Sequence, residues 1–465
     1  MTHPNGFNGK ERIKEVLMKW IANPQSRILV RGETLQGIDS LDIRVVAKLD
    51  TRTSEIIRYV LEGVAKAINK YGEEREIPLD TKVVLKQYKS GEIKDTANRR
   101  SESGRVSLEG AVLTSLGQYT EKVPKILEHT DREIWMTDLG GGILSNRIDK
   151  IDEESTRVLE VVAQSGAAGS FQSELVETLG SNVIDIIKDL EGRGLLYRET
   201  GKLLVTTRYE DIYALNGDQK LQEKREFQTE RDTLVSRAVE TLLEVQMVGN
   251  NVKPQLQKSG VVQQSLQDAV ESDLDYVEGT LCYGRRKLSE SEDRKVKKGI
   301  ISVNEDLHNL PEEIRDNFIQ GDGYSENLVN RTSLKDVAIL DFFHAGLGVW
   351  FSDVADLVNY THLFSPGIMK PEDFYAQALE LRIGFTPNPA LFKKHQEEIV
   401  HAMTLKRALR TLGVISWILS GEGSYIQTHH HERNMLKHQR TAYALFLKER
   451  LTERKDLKGL AELID

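Results

Sequence analysis

The chain has very little of the features that define several large classes of protein. Its 465 residues include one cysteine, Cys282, so no disulfide can form within the chain. We therefore expect a reducing compartment, and a cytoplasmic location is the simplest one. No apolar run approaches the roughly 20 residues that a membrane-spanning helix needs, and the polar start MTHPNGFNGKER lacks the apolar segment of a signal peptide.

Basic charge is also in short supply. The chain has 63 lysines and arginines against 72 aspartates and glutamates, which gives a formal net charge of −9. A chain with this balance is not built as a whole to hold nucleic acid, although a local basic face stays open. The length allows two or three domains, and 39% apolar with 29% charged residues is typical of a soluble globular protein.

The first 150 residues carry both helical and strand-like patterns. Apolar residues recur with helical spacing in some segments, and short runs rich in valine and isoleucine are typical of strands. The predicted elements are a helix over 10–22, strands over 27–32 and 41–49, a helix over 54–71, a strand over 81–88, a helix over 106–119 and a strand from 132 onward. The last strand leads into the glycine-rich connection 140–142.

Residues 152–210 predict a different unit, with the element order of a winged helix-turn-helix. Its predicted third helix, 181–194, carries three acidic residues against two basic ones, and acidic side chains disfavour contact with DNA phosphates. A protein-contact or spacer role is therefore favoured. DNA binding remains an alternative because basic residues lie on the predicted wing, namely Arg198, Lys202 and Arg208.

Five polar residues follow one another in an order that suits phosphoryl transfer. They are Lys86, Glu109, Asp322, Asn327 and Asp341. Such a reaction needs a cation on the phosphates, a partner that orients it, oxygen ligands for magnesium and a carboxylate near the attacking hydroxyl. The spacing of Asp322 and Asn327 equals the Asp-to-Asn spacing of a kinase catalytic loop. Each residue alone is more simply explained as a turn or a solvated surface residue, but together they favour a phosphate site.

Two blocks of sequence resemble the aminoglycoside and choline phosphotransferase type of protein-kinase-like enzyme. VVLK…LEGAVLTSL…VPKILEH…REIWMTDLGGG is similar to its N-terminal lobe. IQGDGYSENLV…VAILDFFHAGLGVWFSDVADLVNY is similar to its catalytic loop, its metal-binding aspartate and the helix after them. The resemblance covers about 80–150 and 315–365, and the helical patterns up to the last residues are compatible with it.

The second block implies the reaction and its central residues. By resemblance, Asp322 is the catalytic base or hydroxyl-orienting residue, and Asn327 and Asp341 bind Mg²⁺. The implied reaction transfers the γ-phosphate of ATP to a hydroxyl of a small molecule. A small acceptor is favoured over a protein because no activation-loop APE motif follows Asp341.

The first block implies the nucleotide-binding residues. By resemblance, Lys86 holds the α- and β-phosphates and Glu109 orients Lys86. The chain around Met136 and Asp138 is then the hinge that receives the purine. A possible protein partner would use the winged-helix segment, and no membrane is expected to take part.

Three departures from the family pattern keep other functions open. Gln320 stands where the family usually has histidine, and no glycine-rich phosphate loop directly precedes VVLK, since the helix predicted over 54–71 intervenes. The segment GETLQG, 32–37, is a weak substitute for that loop, and the winged-helix segment interrupts the connection between lobes. The alternatives are a pseudokinase or nucleotide-sensing scaffold, a DNA-binding regulator with a kinase-like sensor, and a protein kinase.

The predicted fold class is α+β, a bilobal protein-kinase-like fold with a winged helix-turn-helix insertion and a mainly helical C-terminal lobe. The expected divisions are an N-terminal helix over 1–24, a small lobe over 25–148, an insertion over 150–212, and a helical lobe over 218–465 with its catalytic loop over 318–342. The active cleft is expected between the lobes, where closure excludes water.

Overall fold

The computed structural model of the chain has an antiparallel sheet first and a mainly helical region after it. An α+β chain with a sheet followed by helices was expected, and this order agrees with that expectation. The structure describes residues 9–23, 26, 28–31, 33–50, 54–89, 102–140, 142–143, 153–165, 169–192, 195–199, 201–205, 231–283, 289–331, 336–364, 371–420, 430–453, 461–462 and 464. Within these ranges, no helix has both the length and the apolar character that crossing a bilayer requires.

The N-terminal part is a helix packed on a five-stranded sheet. Helix α1, Gly9–Ala22, buries one apolar face against this sheet, as its predicted helical spacing requires. In spatial order the strands are β1 Thr34–Asp50, β2 Ser54–Ile68, β3 Glu74–Tyr88, β5 Glu133–Thr137 and β4 Ile126–His129. All neighbouring strands are antiparallel, so hairpins connect the first three.

The helix predicted over 54–71 is wrong, because this segment forms strand β2. Its apolar residues satisfy a helical period and a strand period about equally, so periodicity alone could not separate the two. β2 lies between β1 and β3, and its pairing with β3 runs in register from Ser54 opposite Tyr88 to Ile68 opposite Glu74. Hydrogen bonding to two neighbours outweighs the helix propensity of the segment.

The two strands predicted before residue 50 are also corrected. Residues 28–31 form no strand, whereas β1 extends from Thr34 to Asp50 and includes the predicted 41–49. Three register shifts interrupt its pairing with β2. Two of these shifts lie before residue 41, where they break the alternation of inward and outward side chains that predicts a strand.

Helix α2, Glu102–Leu116, connects the sheet to the helical region. It starts four residues before the predicted 106–119. Val112, Leu113 and Leu116 are buried and belong to the same apolar cluster as the C-terminal helices. Because α2 also packs against β4 and β5, it fixes the position of the sheet relative to the helices.

The C-terminal region is a bundle of helices around one large apolar core. Its helices are α6 Arg231–Asn251, α7 Lys253–Lys258, α8 Leu266–Tyr283, α9 Glu290–His308, α10 Glu312–Arg315, α11 Ser352–Phe364, α12 Pro371–Gly384, α13 Pro389–Lys394, α14 Gln396–Ser420 and α15 His430–Thr452. The long α14 packs against α8, α11 and α15, so it lies at the centre of the bundle.

Short strands form the predicted hairpin within this helical region. β11, Leu328–Asn330, pairs with β12, Val337–Ile339, and on its other side with β6, Gly142–Ile143, which follows the N-terminal sheet in the chain. β10, Asn317–Ile319, pairs with β13, Gly346–Gly348. The two pairs bracket residues 320–327 and 340–345, which contain the predicted catalytic and metal-binding residues.

The predicted insertion has an apolar core of its own. Its elements are α3 Glu153–Gln164, β7 Ser170–Phe171, α4 Gln172–Leu179, α5 Val183–Gly192, β8 Leu196–Glu199 and β9 Lys202–Val205, with β9 between β7 and β8. Helix α5 and strand β8 pack against α15 of the bundle. The winged-helix assignment and the domain boundaries stay predictions.

Gly63 of β2 provides a test of the corrected strand. A Cβ atom at Gly63 would overlap the backbone of Ser40 and Leu41 on β1, whereas a Cβ atom at Gly37 would meet nothing within 4 Å. Gly63→Ala should therefore lower the free energy of unfolding by about 1–3 kcal/mol, and Gly37→Ala, in the same sheet, should leave it within about 0.5 kcal/mol. Urea unfolding measures both, and equal stability of the two variants would contradict the β1–β2 pairing.

Candidate active site

A buried ion pair links the sheet to α2. Lys86 lies near the end of β3 and Glu109 lies on α2, and both side chains are buried. The Lys86 Nζ lies 3.1 and 3.2 Å from the two Glu109 carboxylate oxygens. The structure thus brings together Lys86, which was predicted to hold the nucleotide phosphates, and Glu109, which was predicted to orient Lys86.

Asp341 completes a three-residue charge cluster. It follows β12 by two positions, and its Oδ1 lies 3.0 Å from the Lys86 Nζ. Its φ of 55° is the one positive value among described residues other than glycine, and aspartate tolerates this left-handed conformation better than most residues. The Phe343 N–H donates to Asp341 Oδ1, and the Phe342 N–H donates to Glu109 Oε1, so the backbone after Asp341 is also tied to the cluster.

The protonation of the cluster follows from opposing effects. Burial lowers the pKa of Lys86, but the carboxylates of Asp341 and Glu109 outweigh burial and the net shift is upward. Burial would raise the pKa of Asp341, but the Lys86 ammonium more than offsets it and the pKa is lowered. Lys86 is therefore a cation at neutral pH and Asp341 an anion.

Tyr88 belongs to this cluster and was missed at the sequence level. Its hydroxyl donates to Glu109 Oε2, and its ring stacks on Phe343 with centroids 5.6 Å apart. Burial raises the pKa of the Tyr88 hydroxyl most, and the negative charge of Glu109 raises it further. The hydroxyl therefore stays protonated and remains a hydrogen-bond donor. The available signal was its position two residues after Lys86, which places both side chains on one face of β3.

Asp322 and Asn327 are held together by the turn between them. The Asn327 Nδ2 donates to the backbone oxygen of Asp322 at 2.8 Å and to its Oδ2 at 3.0 Å. The Leu340 N–H donates to the Asn327 backbone oxygen at 2.7 Å, which sets this turn beside Asp341. With its amide nitrogen bonded to Asp322, Asn327 presents Oδ1 as an oxygen ligand.

Gln320 connects the two halves of the site. Its Oε1 accepts from the Asp322 N–H at 2.8 Å, and its Nε2 donates to the backbone oxygens of Leu340, at 3.1 Å, and Asp341. A glutamine side chain has both a donor and an acceptor, so it can bridge these groups. The departure from histidine at this position therefore leaves both predicted residues supported.

The loop is supported from below by Asp353 on α11. Its two carboxylate oxygens accept the N–H groups of Gln320 and Gly321, each at 2.8 Å. Gly321 has a φ of 86°, and a Cβ atom there would overlap the backbone oxygen of His344. Glycine is needed here both for the left-handed backbone and for the close approach of the two loops.

Two arginines of α14 also support the loop, and neither was singled out from the sequence. Arg407 forms a buried two-point ion pair with Asp356 of α11 and donates to the Gly321 backbone oxygen at 2.9 Å. Arg410 donates to the same oxygen, and its Nη2 lies 3.4 Å from Asp322 Oδ1. The available signal was the three basic residues Lys406, Arg407 and Arg410 in a helical segment rich in apolar residues.

The predicted hinge lies at the end of β5, where the sheet meets the bundle. Met136 is buried and packs with Tyr88, Val106 and other apolar residues. The Asp138 carboxylate accepts two hydrogen bonds from Arg58 of β2, at 2.9 and 3.0 Å, and one from the Gly140 N–H at 2.8 Å. Asp138 thus fixes the shape of the hinge turn, and its contact with a nucleotide stays a prediction.

Because 54–68 is a strand, the connection between β1 and β2 is the segment to compare with a glycine-rich phosphate loop. The connection between β1 and β2 consists of residues 51–53, Thr-Arg-Thr, which contains no glycine and lies outside the described residues. Gly32 of the weak candidate GETLQG also lies outside them. The objection that a helix separates the first hairpin from β3 no longer holds, because β1, β2 and β3 are consecutive antiparallel strands.

The predicted DNA-contacting helix of the insertion is α5. It packs against α15 of the bundle, and Asp185 on it pairs with Lys188 at 3.0 Å. Arg198 of the predicted wing pairs with Glu191 and Gln172, while Arg208 lies outside the described residues. These contacts give no support to DNA binding by this unit.

Comparison with known proteins gives likeness in three dimensions only. No protein-family model and no curated protein matches the chain. Similar solved structures include an ethanolamine kinase of Plasmodium vivax, 11% identical, with a TM-score of 0.43, covering 96% of this chain and 98% of that one. A Ralstonia eutropha protein assigned by inference as an aminoglycoside phosphotransferase is 12% identical with a TM-score of 0.40, covering 94% and 98%.

A third similar structure is the amicoumacin kinase hAmiN in complex with AMP-PNP, Ca²⁺ and Ami. It is 10% identical with a TM-score of 0.41, and the match covers 94% of this chain and 93% of that one. All three names are those of kinases or phosphotransferases. Identities and TM-scores this low do not indicate what this chain acts on.

Asp353 provides a pH test of the loop support. Burial raises its pKa from the ordinary 3.8 to about 6, although Arg407 and the two N–H groups oppose the rise. The folded state then binds more protons than the unfolded state between these values, so the stability contribution is present below about pH 4 and is lost as the pH rises through about 6. Between these pH values, the free energy of unfolding of the wild type should fall by up to about 3 kcal/mol relative to that of Asp353→Asn.

Chemical unfolding of both proteins at several pH values measures this difference. The asparagine side chain does not titrate in this pH range. The difference between the two proteins therefore removes the contribution of all other titrating groups. Parallel stability profiles from about pH 4 to about pH 7 would contradict a raised pKa at Asp353.

Proposed function

We propose that this chain is a magnesium-dependent phosphotransferase that moves the γ-phosphate of ATP to a hydroxyl of a small molecule. One observation carries this proposal. The Lys86 ammonium contacts Glu109 at 3.1 Å and Asp341 at 3.0 Å, next to the turn that holds Asp322 and Asn327. Residues from β3, α2 and the hairpin thereby converge, and unrelated surface charges do not assemble such a set.

The oxygen atoms at the hairpin fit a magnesium ion. Asn327 offers its Oδ1, and Asp341 is anionic with 37% of its side chain exposed. Magnesium prefers hard oxygen ligands and usually takes only one or two from the protein, with phosphates and water completing its shell. When bound, Mg²⁺ would neutralise charge on the phosphates.

Lys86 would bind the nucleotide phosphates, and Glu109 would hold it in place. A lysine ammonium has three N–H donors. Its contacts with two carboxylates leave one donor for a phosphate oxygen. The Tyr88 hydroxyl fixes Glu109 from its other side, so the ion pair is preorganised. The hinge at Met136 and Asp138 would receive the purine, mainly through its backbone.

Asp322 would orient the acceptor hydroxyl. In the reaction, the acceptor oxygen forms a bond to the γ-phosphorus, while the bond from this phosphorus to the bridging oxygen breaks and ADP leaves with that electron pair. The hydroxyl proton passes to Asp322 or, through it, to solvent. Burial raises the pKa of Asp322, with Arg410 opposing the rise, so the carboxylate is a better proton acceptor than an exposed one.

The scaffold alternative has lost part of its motivation. Gln320 bonds to the backbone of both Asp322 and Asp341, and the segment 54–68, predicted as a helix before VVLK, is a strand. The absence of glycine in 51–53 still distinguishes the chain from kinases with a glycine-rich loop. Tight nucleotide binding without turnover would favour the scaffold. The cytoplasmic location stays a prediction.

Asp341→Asn tests the metal-binding role. Asparagine keeps the volume and tolerates the positive φ, whereas alanine would add backbone strain. We expect magnesium-dependent turnover of ATP to fall about 10³-fold or more with the fold preserved. Circular dichroism and an ATPase assay measure both, and Asp293→Asn, on the exposed face of α9, is the matched control. Unchanged turnover in Asp341→Asn would refute the role.

Asp322→Asn tests the hydroxyl-orienting role. The substitution removes a proton acceptor but keeps an oxygen for the loop, so kcat should fall by roughly 10²–10⁴-fold. Binding of a non-hydrolysable ATP analogue with Mg²⁺, measured by calorimetry, should change less than tenfold. A large loss of nucleotide affinity with little loss of kcat would assign Asp322 to binding instead.

A further inference from the structure

A cavity of about 120 Å³ lies next to the proposed catalytic turn. Its wall comes from α8, from α14, from the β10 end with Gly321, and from the segment 344–347 that follows Asp341. Gly321 directly precedes Asp322, so the cavity borders the residue that would orient the acceptor hydroxyl. Its size suits one small polar group with a few carbon atoms, because sites for drug-sized ligands begin at roughly 300 Å³.

The charged side chains of this wall are mainly cationic. Lys406, Arg407 and Arg410 of α14 line the cavity, against one carboxylate, Asp273 of α8. Lys406 donates to Asp273 at 2.7 Å and to Asn304 at 2.7 Å, so that carboxylate is already bonded to a cation. A cationic ligand in the cavity would therefore lie beside three cationic side chains. The one carboxylate of the wall would not compensate, because it already pairs with Lys406.

Arg410 has the weakest neutralisation of the three cations. Arg407 has a close two-point ion pair with Asp356, whereas the nearest carboxylate oxygen to Arg410 belongs to Asp322 and lies 3.4 Å away. The Arg410 side chain is only 15% exposed. A largely buried guanidinium whose ion pair is this long keeps donors that an oxyanion can accept.

The wall does not suit a quaternary ammonium ligand either. Such ligands are bound by several aromatic faces arranged as a cage. Among the described residues that line the cavity, Tyr276 is the one tyrosine, phenylalanine or tryptophan. Charge and ring content together disfavour a cationic acceptor.

We infer that the acceptor is a small anionic alcohol whose carboxylate or phosphate group binds in this cavity to Arg410, with Lys406 close by. The inference rests on the proposed function, because it names the substrate class of the same site. Arg410 contacts Asp322 and also lines the cavity, so the anionic group and the phosphorylated hydroxyl lie close together in the acceptor. Small hydroxy acids and polyol phosphates meet this requirement, and bidentate guanidinium–oxyanion bonds supply the recognition.

Calorimetric titration with inorganic phosphate and with glycerate, without nucleotide, tests the anion site. Wild type should bind one or both, and Arg410→Gln should weaken Kd at least tenfold, with Arg410→Lys intermediate. Lys297→Gln, an exposed residue of α9, removes the same charge elsewhere and should leave Kd unchanged. Choline at equal ionic strength should not bind.

A second variant blocks the cavity without removing a charge. A Cβ atom on Gly346 would make only ordinary contacts, at 3.7 Å from the Val262 oxygen and 3.9 Å from the His344 oxygen, and all three residues line the cavity. Gly346→Val should therefore fold and should also lose anion binding at least tenfold. This variant decides the matter if Arg410→Gln does not fold.

The outcomes separate the two proposals. Anion affinity equal in wild type, Arg410→Gln and Gly346→Val, no anion affinity at all, or preferred binding of choline would overturn the anionic acceptor. Binding of a magnesium-loaded ATP analogue, measured separately, would leave the kinase proposal standing in each of these cases. Loss of nucleotide binding alone would sink the kinase proposal and keep the anion site. Turnover with glycerate against glycerol phosphate then distinguishes carboxylate from phosphate recognition.

Discussion

The contact of one buried lysine with two carboxylates determines how the two parts of this molecule meet. Lys86 belongs to the sheet, Glu109 to α2 and Asp341 to the hairpin of the helical region. Removing these charges from water is expensive, and the expense is offset only when all three groups lie within contact distance. The cluster therefore specifies one relative placement of the sheet, α2 and the hairpin, and it places a cation at the cleft where phosphates would bind.

The loop around Asp322 is held almost entirely by hydrogen bonds to its backbone. Gln320, Asp353 and Arg407 all bond to main-chain atoms between 320 and 341. Each of these side chains is buried, so the loop cannot relax without leaving polar groups unpaired. The positive φ of Asp341 costs on the order of 1–3 kcal/mol, and this network maintains it. Rigid support of this kind keeps a reactive carboxylate and a metal ligand in fixed positions.

Charge on α14 connects support with specificity. Arg407 and Arg410 lie one turn apart on the helix, and both donate to the Gly321 oxygen. Arg407 is neutralised by a buried carboxylate and acts as structure, whereas Arg410 lies between Asp322 and the cavity. The same helix also packs against α15, which in turn contacts the predicted insertion.

Local sequence patterns were sufficient to predict the elements that depend least on contacts with other parts of the chain. The helix predicted over 10–22 has one apolar face, and the helix predicted over 106–119 is rich in helix-forming residues; the structure contains both within four residues of the predicted ends. The order and spacing of Asp322, Asn327 and Asp341 also followed from the sequence, because a hairpin brings residues at its two ends together.

Tertiary structure decided the rest. Residues 54–68 fit a helix or a strand by pattern, and β1 and β3 on either side decided for the strand by supplying hydrogen bonds. Tyr88, Arg407 and Arg410 resemble ordinary tyrosine and arginine residues in the sequence. Their partners are 21, 51 and 88 positions away, and no local pattern encodes a contact over such distances. The role of a buried polar side chain depends on the groups that replace water as its hydrogen-bond partners on folding. Only the folded chain brings those groups together.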